Sequence, residues 1–172
     1  MACNKISTAR ALSCLINTGG IRRAYIANSE DVTGTTISAS GTVTTISMAT
    51  GTNFYQYDFQ KTTGELNTTA EITLENGTKG YMSELKLRFF KNEQTHFNQL
   101  DSLVYNNSKV VVEDMNGKYF LLGEEQGNDV SALTVAWGKA LNDFNGSEIT
   151  FQSREQNLPA ELASASVITS LL

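Results

Sequence analysis

Ser108-Lys-Val-Val-Val-Glu-Asp-Met-Asn-Gly-Lys-Tyr-Phe-Leu-Leu-Gly123 is the stretch that decides the fold. Two short runs of mostly β-branched, aromatic and aliphatic residues, 109–114 and 118–123, flank Met115-Asn116-Gly117. Asn-Gly is the strongest short hairpin signal, because a tight primed turn requires positive φ angles. The stretch therefore predicts a β-hairpin.

The second run of this hairpin predicts a central position in the sheet. Residues 119–122 are all apolar, a pattern typical of a strand that is covered on both faces. The preceding segment, 92–106, predicts an amphipathic helix, because apolar residues recur there at three- and four-residue spacing. These residues are Phe97, Leu100, Leu103 and Val104. We expect this helix to cover the second face of the hairpin.

Several further segments predict strands by apolar–polar alternation. Residues 53–60 are the clearest short example, with Tyr55, Tyr57 and Phe59 on one side. The remaining strand predictions are residues 20–28, thin strands within 32–47 around a turn at Ser40-Gly41, residues 130–137 and residues 148–152.

The longest alternating pattern is an amphipathic hairpin at residues 65–90, with its turn at 76–80. At about 3.3 Å per residue each arm spans roughly 30 to 40 Å, which is long for a strand in a small domain. One face is polar, and it carries Glu65, Asn67, Thr69, Glu71, Thr73, Glu75, Glu84, Lys86 and Arg88. The large aliphatic and aromatic residues of the other face include Leu66, Ile72, Leu74, Leu85, Leu87 and Phe89.

Size and composition favour a single β-rich domain. The 172 residues are 40% hydrophobic and 18% charged, with 13 Gly and one Pro, which argues against disorder and against a helical bundle. We predict one domain, 1–172, that is mainly β with one flanking α-helix (α+β). Residues 1–19 form an N-terminal arm or a short helix. Residues 157–172 form an apolar C-terminal arm that we expect to dock on its own domain or on a neighbouring copy.

No constellation of catalytic, cofactor-binding or metal-ligating residues is present in the sequence. Cys3, Cys14 and the single His96 cannot supply an ordinary structural zinc site, and the two cysteines are either free thiols or a disulfide. Phosphate-binding loops, nucleophile elbows and dinucleotide-binding fingerprints do not occur. We therefore expect a protein that is not an enzyme and uses no cofactor.

Charge and hydropathy restrict the partners. The net charge of −5, without a basic cluster, argues against tight neutralisation of nucleic-acid phosphates, but it is compatible with DNA passing transiently along an uncharged or acidic wall. No apolar run is long enough to cross a bilayer, so membrane insertion is not expected.

The long hairpin also predicts assembly. A hairpin of this length overhangs a compact core, and its exposed strand edges invite pairing with another chain. Edge pairing around a rotation axis closes a ring, so we expect a homo-oligomer. The alternative is a monomer in which the extended hairpin does not pair with another chain.

Three stretches of the chain, in this order, resemble virion structural proteins of tailed phages that infect Bacteroidetes, including crAss-like phages. They are Gly19-Gly-Ile-Arg-Arg-Ala-Tyr-Ile-Ala-Asn-Ser-Glu-Asp-Val32, the hairpin at 110–123 and Gly127-Asn-Asp-Val-Ser-Ala132. The resemblance implies a tail-tube-like or tail-hub protein of the virion tail, assembled in the host cytoplasm. In such proteins a β-sandwich or barrel with a flanking helix forms hexameric rings. Long hairpins join into an inner β-barrel around the DNA channel, with other tail proteins above and below.

Carried over to this chain, the resemblance assigns roles to the hairpin at 65–90 and matches the helix at 92–106 to the flanking helix. The channel-lining candidates are Glu65, Asn67, Thr69, Glu71, Thr73, Glu75, Glu84, Lys86 and Arg88. The inter-subunit candidates are Leu66, Ile72, Leu74, Leu85, Leu87 and Phe89. Acidic and basic residues are balanced along the hairpin, which leaves open which face lines the channel.

The alternative function is a β-sandwich binding or decoration module of a virion, which recognises a carbohydrate or a receptor. This hypothesis predicts a stable monomer or trimer, with exposed aromatic residues such as Tyr55, Tyr57 or Trp137 lining a groove.

Overall fold

The computed structural model describes Arg10, residues 17–73 and residues 75–172. Cys3, Cys14, Leu74 and most of the predicted N-terminal arm or helix lie outside these described residues.

The described part of the chain is mainly β with two short helices, as the fold-class prediction requires, although only the first helix was predicted. In chain order the elements are β1 (Ile21–Asn28), β2 (Val32–Ile37), β3 (Val43–Met48), β4 (Tyr55–Asp58), β5 (Gly64–Thr73), β6 (Thr78–Phe90), α1 (Gln94–Tyr105), β7 (Ser108–Asp114), β8 (Tyr119–Leu122), β9 (Asp129–Ala136), β10 (Gly146–Glu155), β11 (Ala160–Glu161) and α2 (Ser166–Thr169).

The hairpin predicted at 108–123 is confirmed as β7 and β8, but its turn is longer than a two-residue primed turn. Gly117 has a φ of 77°, and Asn116 does not share the positive φ. The Gly117 N–H donates to the carbonyl of Asp114 at 3.1 Å, and the Asp114 N–H donates to the carbonyl of Lys118 at 2.9 Å. This is a three-residue loop that needs glycine at its left-handed position. The Asp114 side chain stabilises the loop by accepting the N–H groups of Asn116 and Lys118.

A five-stranded sheet in the order β11-β8-β7-β1-β4 places β7 at its centre. The consecutive residues Val110, Val111 and Val112 are all fully buried, and successive side chains of a strand point to opposite faces. Both faces of β7 are therefore covered, as the apolar pattern predicted for this hairpin.

A second sheet covers one face of β7, in the order β5-β6-β10-β9. The shared core contains Ile26, Val110, Val112, Leu122, Leu85, Leu87, Phe89, Leu100, Ile149 and Phe151. The predicted helix exists as α1, but its predicted role as the main cover is wrong. Only Leu100 of α1 is buried, whereas Val104 is exposed. The apolar stripe of α1 is too narrow to cover a sheet face, and strands β6 and β10 do this instead.

The opposite face of β7 is covered by the β2–β3 hairpin and by the C-terminal segment. Its core contains Tyr25, Val43, Ile46, Phe54, Val111, Leu121, Leu162 and Ile168. β11 pairs with β8 through Ala160 and Leu121, and the Phe54 N–H donates to the carbonyl of Leu171 at 2.8 Å. The apolar C-terminal arm thus docks on its own chain.

Strand β4 follows the alternation that predicted it only in part: Tyr57 and Phe59 pack against the core, but Tyr55 does not. Phe54 is buried just before the strand, while Tyr55 is 63% exposed. β4 is only four residues long and forms the edge of its sheet, so its side chains lack the neighbours that a central strand has.

Docking of the C-terminal segment predicts a clear stability contrast. Ile168→Ala removes a fully buried side chain and should lower the free energy of unfolding by about 2 to 5 kcal/mol. The matched control is Leu172→Ala, since Leu172 is exposed and its truncation should cost less than about 0.5 kcal/mol. Urea unfolding of both variants measures the difference. Equal midpoints would show that Ile168 is not in the core.

Candidate functional site

The polar face of the hairpin is formed by β5 and β6. These strands pair antiparallel from Gly64 opposite Leu87 to Thr73 opposite Thr78. Directly opposed residues share a face, so the register brings eight of the nine channel-lining candidates together. These eight are Glu65, Asn67, Thr69, Glu71, Thr73, Glu84, Lys86 and Arg88. Glu75 lies apart from them, in the turn between the strands.

Strand β10 extends this polar face. Glu148, Thr150, Gln152 and Arg154 lie opposite Arg88, Lys86, Glu84 and Met82 of β6. The sequence analysis predicted this strand at residues 148–152, but it did not include the outward residues of the strand in the polar face. A signal for the outward residues was present, because polar residues alternate with apolar ones from 148 to 152 and Arg154 continues the polar side.

Charges on this face are paired. Arg88 lies 2.7 Å from Glu148, Lys86 lies 2.9 Å from Glu84, and Arg154 lies 3.4 Å from Glu71. The hydrogen bond from Lys86 to Glu84 raises the pKa of the lysine ammonium. Each cation that β6 and β10 present on this face is therefore next to a carboxylate.

The opposite face of the same sheet, here called the core face, is only partly available. Leu85, Leu87 and Phe89 are buried in the core of their own chain, so these inter-subunit candidates cannot offer their side chains to another copy. Leu66 is half-buried, Ile72 is 59% exposed and Leu74 lies outside the described residues. Among the inter-subunit candidates, contact through the core face is therefore limited to Leu66 and Ile72 of β5 within the described residues.

The hairpin tip overhangs the sheet, as the length of the alternation predicted. β10 ends at Glu155, which pairs with Tyr81, and Tyr81 in turn pairs with Ala70. Beyond this level β5 and β6 continue without a third strand. The outer edges of β5 and β9 have no partner strand among the described residues.

An apolar recess lies beside the open edge of β9. It is formed by α1 and the core face of β9, has a volume of about 220 Å³ and is lined by Phe97, Leu100, Asp101, Leu133, Val135 and Trp137. The rings of Phe97 and Trp137 are 6.4 Å apart. Trp137 is 67% exposed and Leu133 is 37% exposed. We call this feature the β9 recess.

A second depression, the β4 groove, lies between β4 and α1. It has a volume of about 470 Å³, and its lining includes Tyr55, Tyr57, His96, Gln99 and Asn106. Burial raises the pKa of Tyr57. His96 packs against Phe89 with ring centroids 5.1 Å apart, and its Nε2 is buried without a hydrogen-bond partner among the described residues.

A buried ion cluster lies in the other sheet. Glu113 of β7 is almost fully buried, and its carboxylate accepts a hydrogen bond from Arg22 at 3.2 Å and lies 3.7 Å from Arg23. The Tyr25 hydroxyl lies 3.5 Å from the same carboxylate, and burial raises the pKa of this tyrosine. Each charge of the cluster has a partner inside the fold, so the cluster holds β1 on β7.

Other kinds of site find no support in the described residues. They contain no group of three His, Cys, Asp or Glu side chains that could hold a metal ion. Neither α1 nor α2 has the length and apolar character needed to span a bilayer.

Comparisons with protein-family models, curated proteins and solved structures find no significant match to this chain. Its function must therefore be inferred from its geometry.

Proposed function

We propose that this chain is a structural subunit of a phage tail, either of the tail tube or of the tail hub. Copies join edge to edge into a hexameric ring around the channel through which DNA leaves the capsid. The observation that carries the proposal is the sheet β5-β6-β10-β9, which has one polar face, one core face and two open edges.

Strand direction supports closure of such a ring. Each neighbouring pair in this sheet is antiparallel, so β5 and β10 run one way and β6 and β9 run the other. With four strands per copy, β9 of one copy is antiparallel to β5 of the next. Every junction can therefore repeat the pairing found inside the subunit, and a head-to-tail contact of this kind closes into a ring.

Strand stagger supports a barrel. The position of each strand's midpoint can be expressed as the level that it reaches along β6, and this level shifts steadily across the sheet. The midpoint of β5 lies between Met82 and Ser83, and the midpoint of β6 is Glu84 itself. The midpoint of β10 lies between Leu85 and Lys86, and the midpoint of β9 lies between Lys86 and Leu87. The shift of about four residues corresponds to roughly 13 Å along the strands over roughly 14 Å across them. If the midpoints of all strands lie at the same height in the ring, the strands tilt by about 40° relative to the ring axis. This tilt is within the range of closed barrels.

The expected dimensions fit a DNA channel. Six copies, the number that the resemblance implies, contribute about 24 strands, and strands spaced 4.8 Å apart at this tilt enclose a cylinder of roughly 50 Å diameter. Side chains on the inner wall reduce this width but leave room for a DNA duplex.

The polar face is the better candidate for the channel wall, because the core face is covered by the β7-containing sheet. A wall of paired charges and hydroxyl groups offers few free cations to DNA phosphates, so the duplex slides without being held. The chain's net charge of −5 also disfavours tight binding of DNA phosphates. In this proposal the protein is not an enzyme, and other tail proteins contact the ring from above and below.

The second candidate is a virion binding module, and the β4 groove is the observation that favours it. Exposed Tyr55, half-buried Tyr57 and the amides of Gln99 and Asn106 together suit a carbohydrate, because sugars stack on aromatic rings and hydrogen-bond to amides. On this alternative the purified chain is a monomer or trimer without a central hole.

Electron microscopy of the purified protein tests the ring directly. We expect six-fold annuli or stacks of annuli with an open centre, because both strand edges find partners on sibling copies. Isolated globules at every concentration, together with a monomeric or trimeric mass in solution, would contradict the proposal.

The channel wall predicts an effect on genome ejection. Replacing Glu71 and Thr73 with Lys adds free cations to the polar face, so ejection from phage carrying the variant should slow or stop while rings still form. The matched control carries Glu125→Lys and Thr169→Lys, since both residues are exposed and lie off the polar face. Ejection at the normal rate in the first variant would argue against a lumenal polar face. DNA release is measured by dye fluorescence.

A further inference from the structure

We propose that β9 of one copy pairs with β5 of the next in a single register, with Ala70 opposite Leu133. In this register the core face of β5 covers the β9 recess of its neighbour. The inference rests on the ring proposed above and adds the partner surface and the residue pairs that form it.

Both surfaces carry exposed apolar side chains on the same face of the sheet. On β9 these are exposed Leu133 and half-buried Val135, followed by exposed Trp137, all in the β9 recess. On β5 they include Ile72, exposed at the hairpin tip, and half-buried Leu66. When the sheet continues from one copy to the next, core face joins core face, so the two incomplete apolar surfaces become one.

Alternation restricts the register. A slip by one residue would place Leu133 opposite a polar-face residue of β5 and leave its apolar surface uncovered. Only registers that differ by two residues remain, in which Leu133 faces a core-face residue of β5, namely Gly64, Leu66, Thr68, Ala70 or Ile72.

Stagger selects among these registers. Inside the subunit each strand midpoint is displaced from its neighbour by about one to one and a half residues in a constant direction. The pair Ala70–Leu133 continues this displacement, with a step of about two residues. A Thr68–Leu133 pair gives almost no displacement, and an Ile72–Leu133 pair gives about four residues. Pairing Leu133 with Leu66 or Gly64 reverses the direction of the displacement.

The selected register also gives compatible neighbours. Thr68 comes opposite Val135, and Leu66 comes level with Trp137 on the core face. On the polar face Glu71 comes opposite Ala132, so no like charges oppose each other at this point. Asp101 on the rim of the recess and Lys79 on the core face of the hairpin tip bring charges of opposite sign to the junction.

Cysteine cross-linking tests the register. The double variant Ala70→Cys, Leu133→Cys is made in full-length chain that also carries Cys3→Ser and Cys14→Ser. Directly opposed residues have Cβ atoms about 4.5 to 5.5 Å apart, close to disulfide geometry, whereas diagonal neighbours are roughly 7 to 8 Å apart. We expect mild oxidation to give a ladder of linked copies on a non-reducing gel. Each single variant should give dimers at most.

Two further pairs act as register controls: Thr68→Cys with Leu133→Cys, and Ile72→Cys with Leu133→Cys. They should cross-link at least ten-fold more slowly than the proposed pair. Faster linkage of either control in material that forms annuli would overturn the register while leaving the ring intact. A second outcome would contradict both proposals: the reduced variants are folded by circular dichroism, but the cysteine-free parent forms no annuli. The proposed ring would then be wrong, and the proposed register with it.

Discussion

Burial of both faces of β7 is the constraint on which the rest of the structure depends. Three consecutive valines, 110 to 112, cannot be covered by one layer, because successive side chains point to opposite sides of the sheet. The chain therefore supplies two covers, the β5-β6-β10-β9 sheet on one side and the β2–β3 hairpin with the C-terminal segment on the other. The first cover is amphipathic as a consequence, since its core face is used in this packing and its outer face must be polar.

This arrangement links the core to assembly. The base of the β5–β6 hairpin is anchored by Leu85, Leu87 and Phe89, and its tip, residues 71–80, projects beyond the last residue of β10. The projecting tip cannot complete its own edge within the subunit. Open edges are usually blocked or used by a partner. In this chain the two open edges belong to one antiparallel sheet with a constant stagger, and this favours use by identical copies.

Local patterns predicted more of the fold than distant packing. Alternation along residues 65–90 was sufficient to predict the strands, their faces and the set of polar residues that share one face. The turn type at Gly117, the cover over β7 and the contribution of β10 were not predicted correctly or completely. The turn is set by local hydrogen bonds from Asp114, which the Asn-Gly pair alone does not reveal. The other two features depend on contacts across the sequence: Glu148 of β10, for instance, faces Arg88 of β6. The recess beside Trp137 was likewise invisible, because it forms only where α1 meets β9.

The central claim is that the outer edges of β5 and β9 pair with each other between copies, and hydrogen–deuterium exchange of their backbone amides tests it most directly. In assembled material, compared with dissociated subunits, alternate amides of both strands should become protected, because each then donates to a neighbouring strand. The edge strand β4, which takes no part in the proposed junction, should exchange equally in both states. Unchanged exchange along β5 and β9 in assembled particles would contradict the account.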